Sequence, residues 1–291
     1  MPNSIATFKK YTDLLDEVYK NASLTGDLES DSTLASFNTK THEFEVPSLS
    51  MDGLANYSRN SGYVNGDVTL TVTGHAPNFD RGRSFSIDSM DDEETAGVAY
   101  GKLSAEFVRT KVVPELDAFR FAKYCSLADS NNKVGATLTT GAAVLAAIRA
   151  GVSKLDEAEV PQEQRYLYIT PTLLGLVEDL DTTKSREVLN GFAKVVKVPQ
   201  TRFYTAIVQK DGTTSGQEAG GFAKATGGSE LNFMIVEKSA IIQYTKHVVS
   251  KVITPDVNQD ADAYKIPYRN YGLADVFGNK TAGVYAHYKS E

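Results

Sequence analysis

A single cysteine among 291 residues, Cys125, leaves no partner for an intrachain disulfide and no set of thiolates for a zinc site. It follows Tyr124 at the end of an apolar-periodic stretch with no histidine nearby, so it reads as a buried, inert thiol rather than a nucleophile. No window approaches the ~18 consecutive apolar residues of a membrane span. Met1-Pro2-Asn3-Ser4 lacks the basic start and apolar core of a secretory signal, and without one the sequons at Asn21, Asn56 and Asn279 carry no weight. Basic residues are spread thinly and the net charge is −7. A direct nucleic-acid binder gathers its lysines and arginines into a stripe or tail, and none is present. A container wall beside packed DNA gains nothing from gripping it and remains compatible with this balance.

Catalytic signatures are also missing. There is no Gly-x-Ser-x-Gly elbow, no His-Glu-x-x-His and no Gly-x-Gly-x-x-Gly. The Gly101-Lys102 pair has Ala96 where a phosphate loop needs glycine. Asp256, Asn258 and Asp260 copy the first ligands of a calcium loop, but Ala261 replaces its glycine and Pro267 its closing glutamate, which favours a solvated turn. His42, His75, His247 and His287 are scattered without metal-ligand spacing. The sequence predicts no catalytic residue, no metal site and no cofactor.

What is present is a chain of foldable composition, 41% hydrophobic and 23% charged. Ile5, Phe8, Tyr11, Leu15 and Val18 mark one face of an N-terminal helix. Residues 21–65 are polar and turn-rich without a clear period, and read as an arm that is disordered or held against something outside its own fold. From residue 66 the period becomes two, with Val68, Leu70 and Val72 alternating with threonines. After a break at 74–78, Phe79, Arg81, Arg83, Phe85 and Ile87 alternate with Asp80, Ser84, Ser86 and Asp88. These two runs predict a two-stranded hairpin, which is marginal alone and needs contacts beyond itself.

Asp88-Ser89 then offers caps, and Asp91, Asp92, Glu93 and Glu94 favour a helix start through the helix dipole. The periodic run continues to Tyr124, a helix ~50 Å long at 1.5 Å per residue, kinked or split at Pro114. The remainder reads as α/β. A helix capped by Thr139 or Thr140 is followed by a strand over 166–169 and a helix opening at Thr170-Pro171. Strands are expected over 193–198, 231–236 and 240–253, and short aromatic ones at the C-terminus. Six glycines between Gln209 and Ser229 predict a mobile loop.

The runs Phe79-Asp-Arg-Gly-Arg-Ser-Phe-Ser-Ile-Asp, Met90-Asp-Asp-Glu-Glu-Thr and Glu106-Phe-Val-Arg-Thr-Lys-Val-Val-Pro-Glu-Leu-Asp resemble major capsid proteins of tailed phages and prophages. Their fold is named after the Hong Kong ninety-seven phage. The closing Asp260-Ala-Asp-Ala-Tyr-Lys-Ile-Pro-Tyr-Arg-Asn-Tyr-Gly is similar to the last strands of such coats. The resemblance implies an α+β capsid fold: an N-terminal helix and arm (1–61), an extended β-hairpin loop lying over a neighbour (62–88), the spine helix of a peripheral domain (89–125), an α/β axial domain (126–250) and closing peripheral strands (251–291). It implies a structural subunit, not an enzyme, that forms hexamers and pentamers of an icosahedral shell around DNA. Expected partners are further copies of itself, a separate scaffolding protein, a portal protein and a decoration protein, with no membrane. Asp80, Arg81, Arg83, Glu93, Glu94 and Arg269 are the expected intersubunit contacts, the two arginines pairing with a neighbour's carboxylates. The predicted loop has no lysine, so the isopeptide cross-link of some relatives is not expected. An encapsulin-like compartment of the same fold is the alternative; an α/β enzyme would instead need a convergent polar cluster in a deep pocket.

Overall fold

The computed structural model describes residues 23–30, 36–38, 43–90, 106–180, 183–250 and 253–290. The expected N-terminal helix and the acidic start of the long helix, with Glu93 and Glu94, lie outside the described residues. In chain order the described strands are β1 (Ser36–Asn38), β2 (Glu43–Met51), β3 (Val68–His75), β4 (Phe79–Asp88), β5 (Lys133–Gly135), β6 (Arg165–Ile169) and β7 (Lys194–Lys197). They continue with β8 (Ile207–Gln209), β9 (Phe222–Lys224), β10 (Leu231–Glu237), β11 (Ile241–Ser250), β12 (Ala263–Val276) and β13 (Val284–Tyr288). The α-helices are α1 (Val113–Leu127), α2 (Gly141–Glu157), α3 (Pro171–Glu178) and α4 (Thr183–Asn190).

A mixed five-stranded sheet in the order β5-β13-β10-β6-β7 forms the centre of the larger unit. Every residue of β10 is buried, because alternate side chains enter two different cores. Leu231, Met234 and Val236 pack with Phe121, Tyr124 and Cys125 of α1. Phe233 and Ile235 pack with Val144, Ile148 and Leu155 of α2 and Leu173, Leu174 and Val177 of α3. The sheet is therefore sandwiched between α1 and the α2–α3 pair. Thr140 caps α2 by accepting the Ala143 N–H, whereas Thr170 precedes Pro171 without a side-chain cap bond.

The helical rod runs on through Pro114 instead of breaking there. A π-helical turn, Val108–Val112, leads directly into α1. In an unbroken α-helix the proline ring would press on the Thr110 carbonyl four residues back, and the wider turn changes that register.

A second, antiparallel sheet has the order β11-β12-β4, and a third the order β1-β2-β3. This corrects the expected hairpin. β3 pairs with β2, in the register Leu49↔Leu70, while β4 pairs with β12, in the register Arg83↔Tyr268. The reason lies at residues 76–78. The Asn78 side chain donates to the Ala274 carbonyl (2.7 Å) and accepts from the Ala274 N–H (3.1 Å), binding that point to β12. Phe79 then packs on Phe119 of α1, with ring centroids 5.1 Å apart, which commits β4 to the body of the protein. The arm reading of 21–65 is corrected as well: residues 23–30 lie in the core junction described below, and 43–51 form a strand.

Candidate intersubunit surface

The β2–β3 ribbon changes character along its length. Near its base, Phe44 and Val46 are buried; Phe44 stacks on Tyr244 of β11 at 5.1 Å, and Phe37 of β1 meets Phe44 edge-on at 5.2 Å. Opposite Phe44, His75 holds Asp275 of β12 through Nδ1···Oδ2 at 3.0 Å. Burial pushes the Asp275 carboxyl upward, but the hydrogen bonds from His75 and the Val276 N–H, with the field of Lys123, leave it below the usual carboxylate range.

Further out, the same face carries only Ser48, Ser50, Thr69 and Thr71, and the opposite face becomes apolar. Its members Leu49, Met51, Val68, Leu70 and Val72 are between 52% and 68% exposed. Directly opposed residues share a face, so Leu49/Leu70 and Met51/Val68 form a continuous stripe. Beyond the paired strands Leu54, Tyr57, Tyr63 and Val64 are exposed as well, and the two tyrosine rings lie 4.9 Å apart. A monomer rarely leaves more than a few hundred Å² of contiguous apolar surface open. This ribbon has the form of an interaction element.

The residues nominated from sequence fall into two groups. Asp80 on β4 and Arg269 on β12 form an exposed two-pronged pair at 2.6 and 2.8 Å. The Arg269 hydrogen bonds hold the Asp80 carboxyl below its ordinary value. Arg81 and Arg83 point the other way and find acceptors in their own chain. Arg81 donates from Nε to Glu115 of α1 (2.8 Å) and from Nη2 to the Lys210 carbonyl (2.7 Å); Arg83 donates to the Glu218 carbonyl (2.9 Å). Those acceptors belong to α1 and to the β8–β9 hairpin, too far along the sequence for local pattern to reveal them.

That hairpin also gives the 209–229 segment, expected as a loop, a paired base and a defined tip. Its tip is closed by hydrogen bonds: Asp211 accepts from the Thr213 and Thr214 N–H groups, Gln217 accepts from the Asp211 N–H, and Glu218 accepts from the Gly216 N–H. The Thr214 hydroxyl, foremost among these donors, holds the Asp211 carboxyl down at about 2.

A polar junction not foreseen from sequence joins residues 23–30, α1, the short turn that ends at Arg202 and strand β11. Asp117, fully buried, accepts from the Ser23 and Thr25 hydroxyls, the Leu24 N–H and the Arg202 guanidinium at 2.8–3.0 Å. Arg120 donates to Thr25, and Gln243 of β11 links Tyr124 to the Thr25 carbonyl. These groups saturate one another inside the core, leaving Asp117 no opening to a substrate.

Elsewhere, Cys125 is buried and its thiol is pushed up to about 11 by burial. Asp260 pairs with Lys265, and Asn258 donates to the Ala263 carbonyl, as in a solvated turn. Among the described residues no three metal-ligating side chains converge, and no helix is long and apolar enough to cross a membrane.

His287, 2% exposed on β13, stacks on Phe233 and pairs through Nδ1 with the Asn232 amide at 3.0 Å. Burial pushes it down to about 4. An unfolded chain takes up this proton near pH 6.5 and the folded chain only near 4, so stability is full above pH 6.5 and falls as the pH drops toward 4. The expected loss is up to about 3 kcal/mol. Urea unfolding of His287→Gln at pH 7 and pH 4.5 should show a smaller acid loss than the parent; equal losses would contradict the assignment.

No protein-family model and no curated protein matches the sequence. Solved structures do match, over nearly the whole chain. A chain from the mature capsid of bacteriophage PhiM1 has a TM-score of 0.67 at 11% identity, covering 98% of this chain and 92% of that one. A capsid chain of the cyanophage P-SCSP1u gives 0.60 at 12% identity, covering 98% and 94%. A chain of Mycobacterium phage Che8 gives 0.63 at 11% identity, covering 99% and 96%. The α+β fold of this chain is the fold of phage capsid structures.

Proposed function

We infer that this chain is a coat subunit of a tailed bacteriophage, closing with copies of itself as hexamers and pentamers into an icosahedral shell around double-stranded DNA. The observation that carries this reading is the apolar outer half of the β2–β3 ribbon, which its own chain leaves uncovered on a fold shared with phage capsids. In this reading the extended loop is the ribbon Glu43–His75, the rod ending in α1 is the spine, the β11-β12-β4 sheet is peripheral and the five-stranded sheet is axial. The ribbon lies over the adjacent copy, with the exposed Asp80–Arg269 pair as a further contact. Exposed pairs of this kind contribute only ~0–1 kcal/mol each, so apolar burial leads and the charges set register. The DNA is enclosed without sequence-specific binding. A separate scaffold, a portal and a decoration protein complete the particle, which is assembled in the host cytoplasm. The saturated junction at Asp117 supports a structural role over an enzymatic one.

Negative-stain microscopy of the purified full chain tests this. Closed shells or capsomers are expected, and a small globular oligomer would overturn the reading. No lysine occurs between positions 43 and 88, so the ribbon carries no amine for an isopeptide bond. Arginine cannot substitute, because its guanidinium stays protonated. Boiling the shells in detergent with reductant should therefore release one band near 31.6 kDa. A surviving ladder of dimers to hexamers would show that a lysine elsewhere has been recruited.

A further inference from the structure

The β8–β9 hairpin is rich in glycine, and Gly212, Gly216, Gly220 and Gly221 adopt positive φ. A segment of that composition is costly to order, since glycine loses the most backbone freedom. Yet it is pinned where it crosses β4. The Lys210 N–H donates to the Gly221 carbonyl at 2.8 Å, closing the base of the tip, and Arg81 Nη2 donates to the Lys210 carbonyl beside that rung. Arg81 Nε is held at the same time by Glu115, which also accepts from Gln209 (3.3 Å). Arg83 grips the far side of the tip through the Glu218 carbonyl. Its Nη1 lies only 2.9 Å from where a Cβ on Gly220 would stand, so the guanidinium rests on bare backbone. Phe79 and Phe85, on the same face of β4, pack on Phe119 and Phe107 and keep the strand that bears both arginines rigid.

We propose that Arg81 and Arg83 form a clasp that orders the 210–221 tip in the free subunit, presenting it preorganised to a second copy of this chain. The clasp rests on the coat reading for its partner but not for its existence. The two arginines are positioning residues: by ordering the glycine-rich tip before association, they remove that entropy from the cost of assembly. Arg81 donates from two separate nitrogens of one planar group, Nε and Nη2, and lysine's single ammonium nitrogen cannot stand at both positions.

The test compares the full chain with Arg81→Gln/Arg83→Gln, and with Arg83→Gln alone, an exposed change that keeps the test open if the double variant fails to fold. Amide hydrogen exchange of the unassembled chains should be at least tenfold faster over 207–224 in the double variant and faster over the tip in the single one, with β10 and β13 unchanged. The concentration at which assemblies first sediment should rise about tenfold in the double variant, and Arg81→Lys should not restore it. Hairpin exchange identical in parent and variants would overturn the clasp. A loosened hairpin with an unchanged assembly threshold would overturn its preorganising role. Failure of the parent chain itself to assemble would count against the coat reading, while the exchange comparison would still decide the clasp.

Discussion

Replacing Asp117 by alanine is expected to destabilise the chain by about 3–5 kcal/mol, the range for removing one partner of a buried ion pair. The substitution leaves Arg202, 3% exposed, as a buried cation that has lost its carboxylate. It also leaves the Ser23 and Thr25 hydroxyls and the Leu24 N–H without their acceptor, each a further desolvation cost. Asp117→Asn keeps an acceptor oxygen but loses the charge, and should fall between parent and alanine. Urea unfolding followed by circular dichroism gives both numbers. An alanine variant within about 1 kcal/mol of the parent would mean that the junction relaxes or admits water and does not hold the N-terminal segment in place.

The second large effect is expected on assembly with little change in the fold. Leu49→Arg with Leu70→Asp puts opposite charges on a directly opposed pair, so the ribbon itself keeps a compatible cross-strand contact. Both side chains are more than half exposed, and the stability of the free chain should change by no more than about 0.5 kcal/mol. In the proposed contact two leucines, each worth about 1.5–3 kcal/mol on full burial, are replaced by charges. That loss weakens each ribbon contact at least about 100-fold. Sedimentation should show a folded chain that no longer forms capsomers or shells. Normal assembly of this variant would remove the ribbon's apolar face from the interface.

The same ribbon shows why the sequence was only partly readable. β4 was legible because its period of two holds from Phe79 to Ile87, and the face bearing those residues is the one that meets the helix. β10 was legible as a short, mostly apolar run, Leu231 to Val236, broken only by Asn232. β2 was not, because its pattern switches sides: Phe44 and Val46 are apolar on one face, Leu49 and Met51 on the other, with Pro47 between them. A strand that serves its own chain at one end and another surface at the far end has no single amphipathic period. The pairing of β3 was misassigned for a related reason, since a three-residue break resembles a hairpin turn until Asn78 is seen bound to Ala274. The Asp117 junction left no local trace at all. Its members at 23–25, 117–124, 202 and 243 are each ordinary polar residues in sequence, and only the folded topology brings them together. The helix ending near Tyr124 was legible over the described residues from 106 onward, but Pro114 predicted a break that the π turn avoids.

The composition of the ribbon has a practical side. Between positions 43 and 80 there is one arginine and no lysine; the arginine, Arg59, sits in the exposed tip between Tyr57 and Tyr63. A protease that cuts only after lysine or arginine therefore has one target in the whole ribbon, and amine-directed labels have none. Under the assembly proposed above, that target is open in a newly made chain and covered once a neighbour receives the tip. A brief trypsin pulse during assembly would then divide the chains into cut and intact populations, and the fraction cut at Arg59 would report, minute by minute, how many subunits are still waiting for a place in the shell.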